Sequence, residues 1–433
     1  MITEANIKTQ EEIKKVVDSV MEIIECFTKE LIRAPVVGYM EPGPAQVIYL
    51  NEPDYSGVYK RVDLELNEPI LIKAFNHLIE QQEFLRSCLV IRENTYQWQV
   101  HEFNDKLQVP IIDLSSYTEY DKEQIINECI SIANSQKYEM LNTVQYRICI
   151  IKESPDNFIL MIPVSHIIFD AISAEILMSN LFHYYQELLE KGVIGNNEPT
   201  DYAAYLNQMR KGPLNIDENQ LMSIFNIQEF YQSTLKIKNF LDSKKIELLL
   251  ECQESIVLGN KDTFLQAIDR VAQICMKCFH MQQVPLWVVN MGRIYENNIY
   301  NDVIGSFIDF VPFVYERNYS EGFYERMQIF NTKREKNINF LMFITKEWYP
   351  KGFEKVSAHL TECHKMIKIL FNFIGEMPND EEFIDSIYSS SKNNAARTIL
   401  FTTYIKNQRL YITCNLSKDL REYDLDMQKI LIS

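Results

Sequence analysis

Glycine is the residue this chain most nearly does without. It occupies 12 of 433 positions, under half of the roughly 7% usual in soluble proteins. Glycine supplies positive φ at no steric cost and lets backbone approach a ligand closely. None of the twelve stands in a G-x-G-x-x-G or a G-x-x-x-x-G-K-[ST] pattern. A Rossmann dinucleotide site and a P-loop are thereby disfavoured, because both bring backbone N–H groups against phosphate through glycine.

Charge narrows the partners. Asp and Glu number 60 against 43 Lys and Arg, a net charge of −17, and such a chain repels a phosphate backbone, so no nucleic-acid partner is expected. The nine cysteines follow no tight framework, which fits reduced thiols and a cytoplasmic setting. Met1 to Gln10 is polar and leads into no short apolar stretch, so no signal peptide is expected. No apolar run reaches the ~18 residues of a membrane span, and no membrane association is expected.

Periodicity organises the rest. Ile13, Val16, Val17, Val20, Ile23, Ile24, Phe27 and Leu31 recur at helical spacing, predicting one amphipathic helix from Gln10 to Ile32. Strand and helix signals then alternate: a strand at Val58–Leu66, a helix at Pro69–Gln82, a hairpin at Arg86–Arg92 and Tyr96–His101, and a helix at Tyr120–Ser135. Tyr146–Lys152 and Phe158–Val164 are β-rich runs joined by Pro155-Asp156-Asn157, a turn sequence. A long helix follows at Ala171–Glu190. Gly192–Asp217 carries the Gly, Asn and Pro of a boundary. The second half repeats the style, with helices at Lys244–Glu251, Asp262–His280 and Tyr324–Ile338. Its strands fall at Pro285–Asn290, Phe307–Tyr315, Lys368–Phe373, Thr398–Ile405 and Leu410–Asn415. The expected fold class is α+β, in two mixed lobes. The domains read as 1–40, an N-terminal helix and linker that is a candidate docking element; 41–220, an N-terminal lobe; and 221–433, a C-terminal lobe.

Chemistry concentrates in Pro163-Val164-Ser165-His166-Ile167-Ile168-Phe169-Asp170-Ala171. A histidine and an aspartate four apart interrupt an apolar strand where a helix begins, and such polar groups are costly to bury without partners. Strand ends facing helix starts expose catalytic side chains in α/β layers. With a pKa near neutrality, a histidine there can serve as general base. Its plainer role is that of a satisfied core residue. Ser165 and His166 are neighbours on a strand and point to opposite faces, so they form no nucleophile–base pair. Cys275-x-x-Cys278-x-His280, with His359, Cys363 and His364, offers zinc-ligand types. A structural site needs four converging ligands, and these cysteines lie in an apolar helical run where free Cys is commonly a small core residue. No metal is expected.

The stretch ending at Ala171 resembles the H-H-x-x-x-D-G motif of the condensation-domain superfamily of nonribosomal peptide synthetases, whose members are similar to chloramphenicol acetyltransferase. Further segments extend the resemblance over about residues 41–433. Pro44-Ala45-Gln46 is similar to S-P-A-Q, Gln82-Glu83-Phe84-Leu85-Arg86-Ser87 to R-H-E-x-L-R-T, and Asp201-Tyr202-Ala203-Ala204-Tyr205 to D-Y-A-x-W. Gly292-Arg293 with Ile304-Gly305-Ser306-Phe307-Ile308-Asp309 is similar to G-R and V-G-x-F-x-N, and Leu370-Phe371-Asn372-Phe373-Ile374-Gly375 to F-N-Y-L-G.

The resemblance implies two chloramphenicol-acetyltransferase-like lobes in a V-shaped pseudo-dimer with a central tunnel, entered from either side by phosphopantetheine arms of carrier proteins. It implies His166 as the catalytic residue and Asp170 as a structural carboxylate whose salt-bridge partner, in this chain, is Arg86. Three positions depart from the pattern. Ser165 stands for the first histidine, Ala171 for the glycine, and Asp309 for the asparagine of G-x-F-x-N, where a carboxylate would lie near the tunnel and either raise the basicity of His166 or mark a changed reaction. The tract usual after D-Y-A-x-W is also missing or shortened between Lys211 and Lys261.

The function so implied is a condensation-type acyltransferase joining a carrier-bound acyl or peptidyl thioester to an amine or hydroxyl acceptor, in nonribosomal peptide or hybrid polyketide biosynthesis. Expected partners are peptidyl or acyl carrier proteins and neighbouring synthase modules, with the domain itself monomeric. No cofactor is bound intrinsically; substrates arrive on phosphopantetheine. Two alternatives follow from the departures: a degenerate module that binds carriers or recruits a partner enzyme without transfer, or a variant that dehydrates, cyclises or hydrolyses a tethered intermediate.

Overall fold

The computed structural model describes residues 9–51, 53, 55–63, 66–104, 109–135, 139–195, 202–242, 254–257, 263–295, 298–316, 329–333, 335–376 and 397–417. They fall into two compact units. The first runs to Ala204 and includes Asn301–Ser306; the second takes Tyr205–Tyr300 and resumes at Phe307. The chain changes unit inside a helix, not at the residue-220 boundary read from the sequence.

In the first unit the elements are α1 (Gln10–Leu31), β1 (Val36–Met40), α2 (Pro44–Asn51), β2 (Tyr55–Asp63), α3 (Glu68–Gln81), β3 (Ser87–Arg92), β4 (Thr95–His101), β5 (Ile111–Asp113), α4 (Glu119–Ser135), β6 (Cys149–Ser154), β7 (Asn157–Ser165) and α5 (Ala171–Lys191). The main sheet has the order β2-β7-β6-β5. Strand β7 lies at its centre, antiparallel to both neighbours, and from Phe158 to Ser165 every residue is buried. A near-continuous apolar run is what a strand covered on both faces requires.

Helix α1 starts from a capping box in which Thr9 and Glu12 satisfy each other's backbone N–H groups. Its apolar stripe does not face outward. Ile13, Val17, Val20, Met21 and Ile24 join Ile125 and Cys129 of α4 and Ile151, Ile159 and Met161 of the sheet in one core. The segment read as a candidate docking element therefore spends its apolar face on its own unit.

In the second unit the elements are α6 (Tyr202–Arg210, begun in the first unit), α7 (Glu218–Ile224), α8 (Ile227–Asp242), β8 (Glu254–Val257), α9 (Thr263–Phe279), β9 (Gln283–Met291), the ribbon β10 (Ile294–Tyr295) and β11 (Asn298–Ile299), β12 (Ile308–Glu316), the helix Glu354–Met366, β13 (Lys368–Glu376), β14 (Thr398–Lys406) and β15 (Arg409–Leu416). One sheet of order β12-β9-β13-β14-β15-β8 carries them, with β9, β13 and β14 parallel at its middle. Between Lys211 and Lys261, where the usual tract seemed shortened, stand α7 and α8. The helix expected at Lys244–Glu251 lies outside the described residues, as does part of that expected at Tyr324–Ile338. Among the described residues no helix is long and apolar enough to cross a membrane.

The turns show how the chain does without glycine. Non-glycine residues with positive φ include Asn94, Asn142, Asn215, Asn226, Asn337 and Asn407. Asparagine tolerates the left-handed region better than other side chains. The two-residue hairpin turns at Glu93-Asn94 and Asn407-Gln408 have φ of 51° and 64°, and of 50° and 59°. Positive φ at both positions is the pattern of a type I′ turn, whose twist matches its strands. Gly375, with φ of 96°, sits at a register shift of β13 against β14, a place where the conformation does call for glycine.

Candidate active site

The site forms where β7 runs out. Two strand-like bonds from the neighbouring segment hold its end: Ser165 N–H donates to Gln145 O at 2.9 Å, and Arg147 N–H to Pro163 O at 2.8 Å. A tight turn follows, with Ile168 N–H donating to Ser165 O at 3.2 Å and Phe169 N–H to His166 O at 3.4 Å. Asp170 then caps α5. The turn lifts His166 out of the sheet and leaves it half-buried, whereas Ser165 is fully buried. The Ser165 hydroxyl lies 3.4 Å from the N–H of Ile167, as acceptor, so the residue at this altered position serves the turn.

The imidazole of His166 is anchored at one nitrogen. Nδ1 lies 3.1 Å from the carbonyl oxygen of Phe169. A carbonyl only accepts, so Nδ1 carries a proton, and in the neutral ring Nε2 holds the lone pair. One face of the ring lies on Tyr49, centroids 5.8 Å apart and planes 21° from parallel. Gln46 fixes the backbone beside it, its Nε2 donating to Ile167 O at 2.9 Å. The side-chain oxygen of Gln46 accepts from Gly43 N–H and from the Trp98 indole, at 2.9 and 3.1 Å. The sequence marked Pro44-Ala45-Gln46 as a resemblance without giving it a task. Proline at the first position of a helix was the available signal, since it starts α2 and turns Gln46 and Tyr49 toward the turn.

Asp170 is buried and its Oδ1 accepts from both the N–H and the hydroxyl of Ser173, each at 2.8 Å. The Ser173 oxygen also lies 3.0 Å from the carbonyl of Gly305 and accepts its N–H at 3.1 Å. Asn301–Ser306 is held at two further points. Gln82 donates to Asp302 O at 3.0 Å and accepts from Ile304 N–H at 2.8 Å; the Tyr202 hydroxyl donates to Ser306 O at 3.0 Å. Stretches far apart in sequence thus meet within the first unit through Gln82, Ser173 and Tyr202.

The expected salt bridge between Asp170 and Arg86 is not formed. The single 3-10 turn Glu83–Arg86 directs the guanidinium back over the end of α3, where it donates to Glu80 O at 3.2 Å and to His101 O at 2.5 Å. Arg86 closes a helix terminus and ties it to β4, and Asp170 works as a helix cap. Ala171 opens α5 and is not among the residues with positive φ, so the methyl that replaces glycine costs no backbone strain.

Asp309 has partners of its own in the second unit. It is fully buried in the second unit and its Oδ1 accepts from the backbone N–H groups of Phe310, Phe340 and Leu341, at 2.9, 2.9 and 3.1 Å. Oδ2 lies 3.0 Å from Nζ of Lys333, a close ion pair set off the hydrogen-bond direction; that lysine donates to Asn290 at 3.2 Å. Both carboxylate oxygens are engaged by groups of its own unit, where it ties three backbone N–H groups and a lysine together. Cys275 is buried in α9, and burial raises its thiol well above the ordinary range. Burial likewise holds His364 down at about 3. Among the described residues no three His, Cys, Asp or Glu gather as a metal set.

With this geometry in place, comparison shows what the chain is similar to. Residues 56–214 match the family model of the condensation domain. The chain is 24% identical over 155 residues to surfactin synthase subunit 2 of Bacillus subtilis (strain 168), covering 36% of this chain and 4% of that protein. It is 22% identical over 142 residues to bacitracin synthase 1 of Bacillus licheniformis, covering 33% and 3%. The matched stretches thus span only a few hundredths of those relatives. Solved structures with the condensation-domain fold cover nearly all of the chain. The epimerization domain from the third module of tyrocidine synthetase B superposes with a TM-score of 0.57 at 12% identity, over 90% of this chain and 94% of that one. The starter condensation domain of rhizomide synthetase gives 0.55 at 11%, over 90% and 94%. The condensation-domain fold is α+β, as the sequence predicted.

Proposed function

We propose that the protein is a condensation-type acyltransferase, moving an acyl or peptidyl group from a carrier-bound phosphopantetheine thioester to an amine or hydroxyl acceptor. The observation that carries this reading is the state of His166. With Nδ1 committed to Phe169 O, Nε2 has no hydrogen-bond partner among the described residues and is ready to take a proton. The acceptor's N–H or O–H proton passes to Nε2 as its nitrogen or oxygen attacks the thioester carbonyl. The tetrahedral oxyanion then collapses, the C–S bond breaks, and the imidazolium returns the proton to the departing thiolate. The products are an amide or ester and a free phosphopantetheine thiol. The step uses no resident cofactor, since the phosphopantetheine arrives with its carrier. Synthases of nonribosomal peptides, or hybrids with polyketides, are the setting this chemistry fits.

Purified protein, a carrier loaded with an acyl thioester and an amine acceptor are the components of the test. His166→Ala is expected to lower product formation by about 10²–10⁴-fold, the usual contribution of a positioned base. Product formed equally by wild type and variant would overturn the mechanism. A carrier that binds wild-type protein and yields no product would assign it to binding without transfer. Loss of water from the tethered chain, without chain growth, would assign it to the third chemistry.

A further inference from the structure

The structure assigns Tyr49 as a positioning residue for His166, an inference that rests on the acyl-transfer reading above. Three observations converge. The phenol ring lies nearly parallel to the imidazole, 5.8 Å between centroids. The imidazole has a single in-plane anchor, Nδ1 to Phe169 O, and one hydrogen bond does not by itself stop the ring from tilting about that bond. Tyr49 also stands three residues after Gln46, whose side chain holds Ile167 O. Residues three apart share a helix face, so α2 grips the turn twice, at its backbone through Gln46 and at the ring through Tyr49.

The contact has a consequence for the reaction. When Nε2 takes the acceptor's proton, the ring becomes an imidazolium, and a cation over an aromatic face within about 6 Å is attracted to it. The neutral ring gains less from the same face. Tyr49 therefore favours the protonated intermediate over the resting state and keeps Nε2 on one bearing. Both effects belong to the ring face and not to the hydroxyl.

The test compares wild type, Tyr49→Phe and Tyr49→Leu. Two measurements are made: transfer kinetics with a carrier-loaded donor, and ¹⁵N spectra of the His166 ring, which report which nitrogen holds the proton. Y49L is expected to lower kcat about tenfold with KM held within about twofold, as for a group acting mainly at the transition state, and Y49F to restore it. The spectra should show one tautomer, protonated at Nδ1, in wild type and Y49F and a mixture in Y49L. Y49L matching wild type in both measurements overturns the assignment, as does Y49F being as impaired as Y49L, which would put the effect in the hydroxyl. If Y49L does not fold, Tyr49→Met takes its place. If wild type transfers nothing, the acyl-transfer reading fails on its own, and the spectra still decide whether Tyr49 sets the imidazole.

Discussion

Asp170 and Asp309 are carboxylates in equally dry surroundings with different work. Asp170 takes two donors from Ser173 at the start of a helix; Asp309 takes three backbone N–H groups and faces a buried ammonium. The second arrangement carries the larger penalty if broken. Asp309→Asn keeps an oxygen for the backbone donors but removes the carboxylate charge beside Lys333, whose side chain is 6% exposed. Denaturant unfolding should show a loss of about 3–5 kcal/mol, the usual result of stranding one member of a buried pair. Adding Lys333→Met should recover part of it. At this scale the sequence revealed identities and not directions. His166 and Asp170 were legible because they interrupt an apolar run. Arg86 was misassigned because a 3-10 turn decides where its guanidinium points. Tyr49 passed unnoticed because a lone aromatic carries no signal until a ring is found on its face.

Elements with a long period were the easiest to read. α1, α3, α4, α5 and α9 appear within one or two residues of their predicted spans, as do seven of the ten strands predicted, since burial on one or both faces imposes a pattern. α2 escaped because eight residues hold barely two turns, and α8 because polar residues dilute its stripe of Ile227, Phe230 and Ile237. α1 was found, but its use was not, for an amphipathic face does not name what covers it. The structure adds a polar tie to its packing: Glu25 accepts from Arg147 Nε at 2.6 Å, and the same guanidinium donates to Val144 O and Tyr146 O. Arg147 also donates its backbone N–H to Pro163, two residues before Ser165. Glu25→Ala should therefore lower unfolding stability by about 1.5–3 kcal/mol, the range for hydrogen bonds to charged groups. Thermal unfolding of the variant, with Glu25→Gln as the milder comparison, measures it.

The molecule as a whole is not two beads in sequence. Asn301–Ser306 belongs to the first unit, bound there by Gln82, Ser173 and Tyr202. No periodicity announces six residues that leave one half of the chain to complete the other, and the sequence reading divided the lobes once, cleanly. A fragment of residues 1–204 is expected to unfold less cooperatively than the same unit within the full chain, with early exchange of amide protons around the cap of α5. Equal protection of those amides in fragment and full chain would refute this.

That excursion also governs how such genes can be recombined. A crossover at the Ala204–Tyr205 junction would join the first unit of one relative to a foreign copy of the six-residue segment. Side chains at Gln82 and Tyr202 bind its backbone carbonyls and N–H groups, so a foreign segment is tolerated as long as its main-chain path is kept. Chimaeras that alter its length, and not those that alter its side chains, are the ones this architecture should reject.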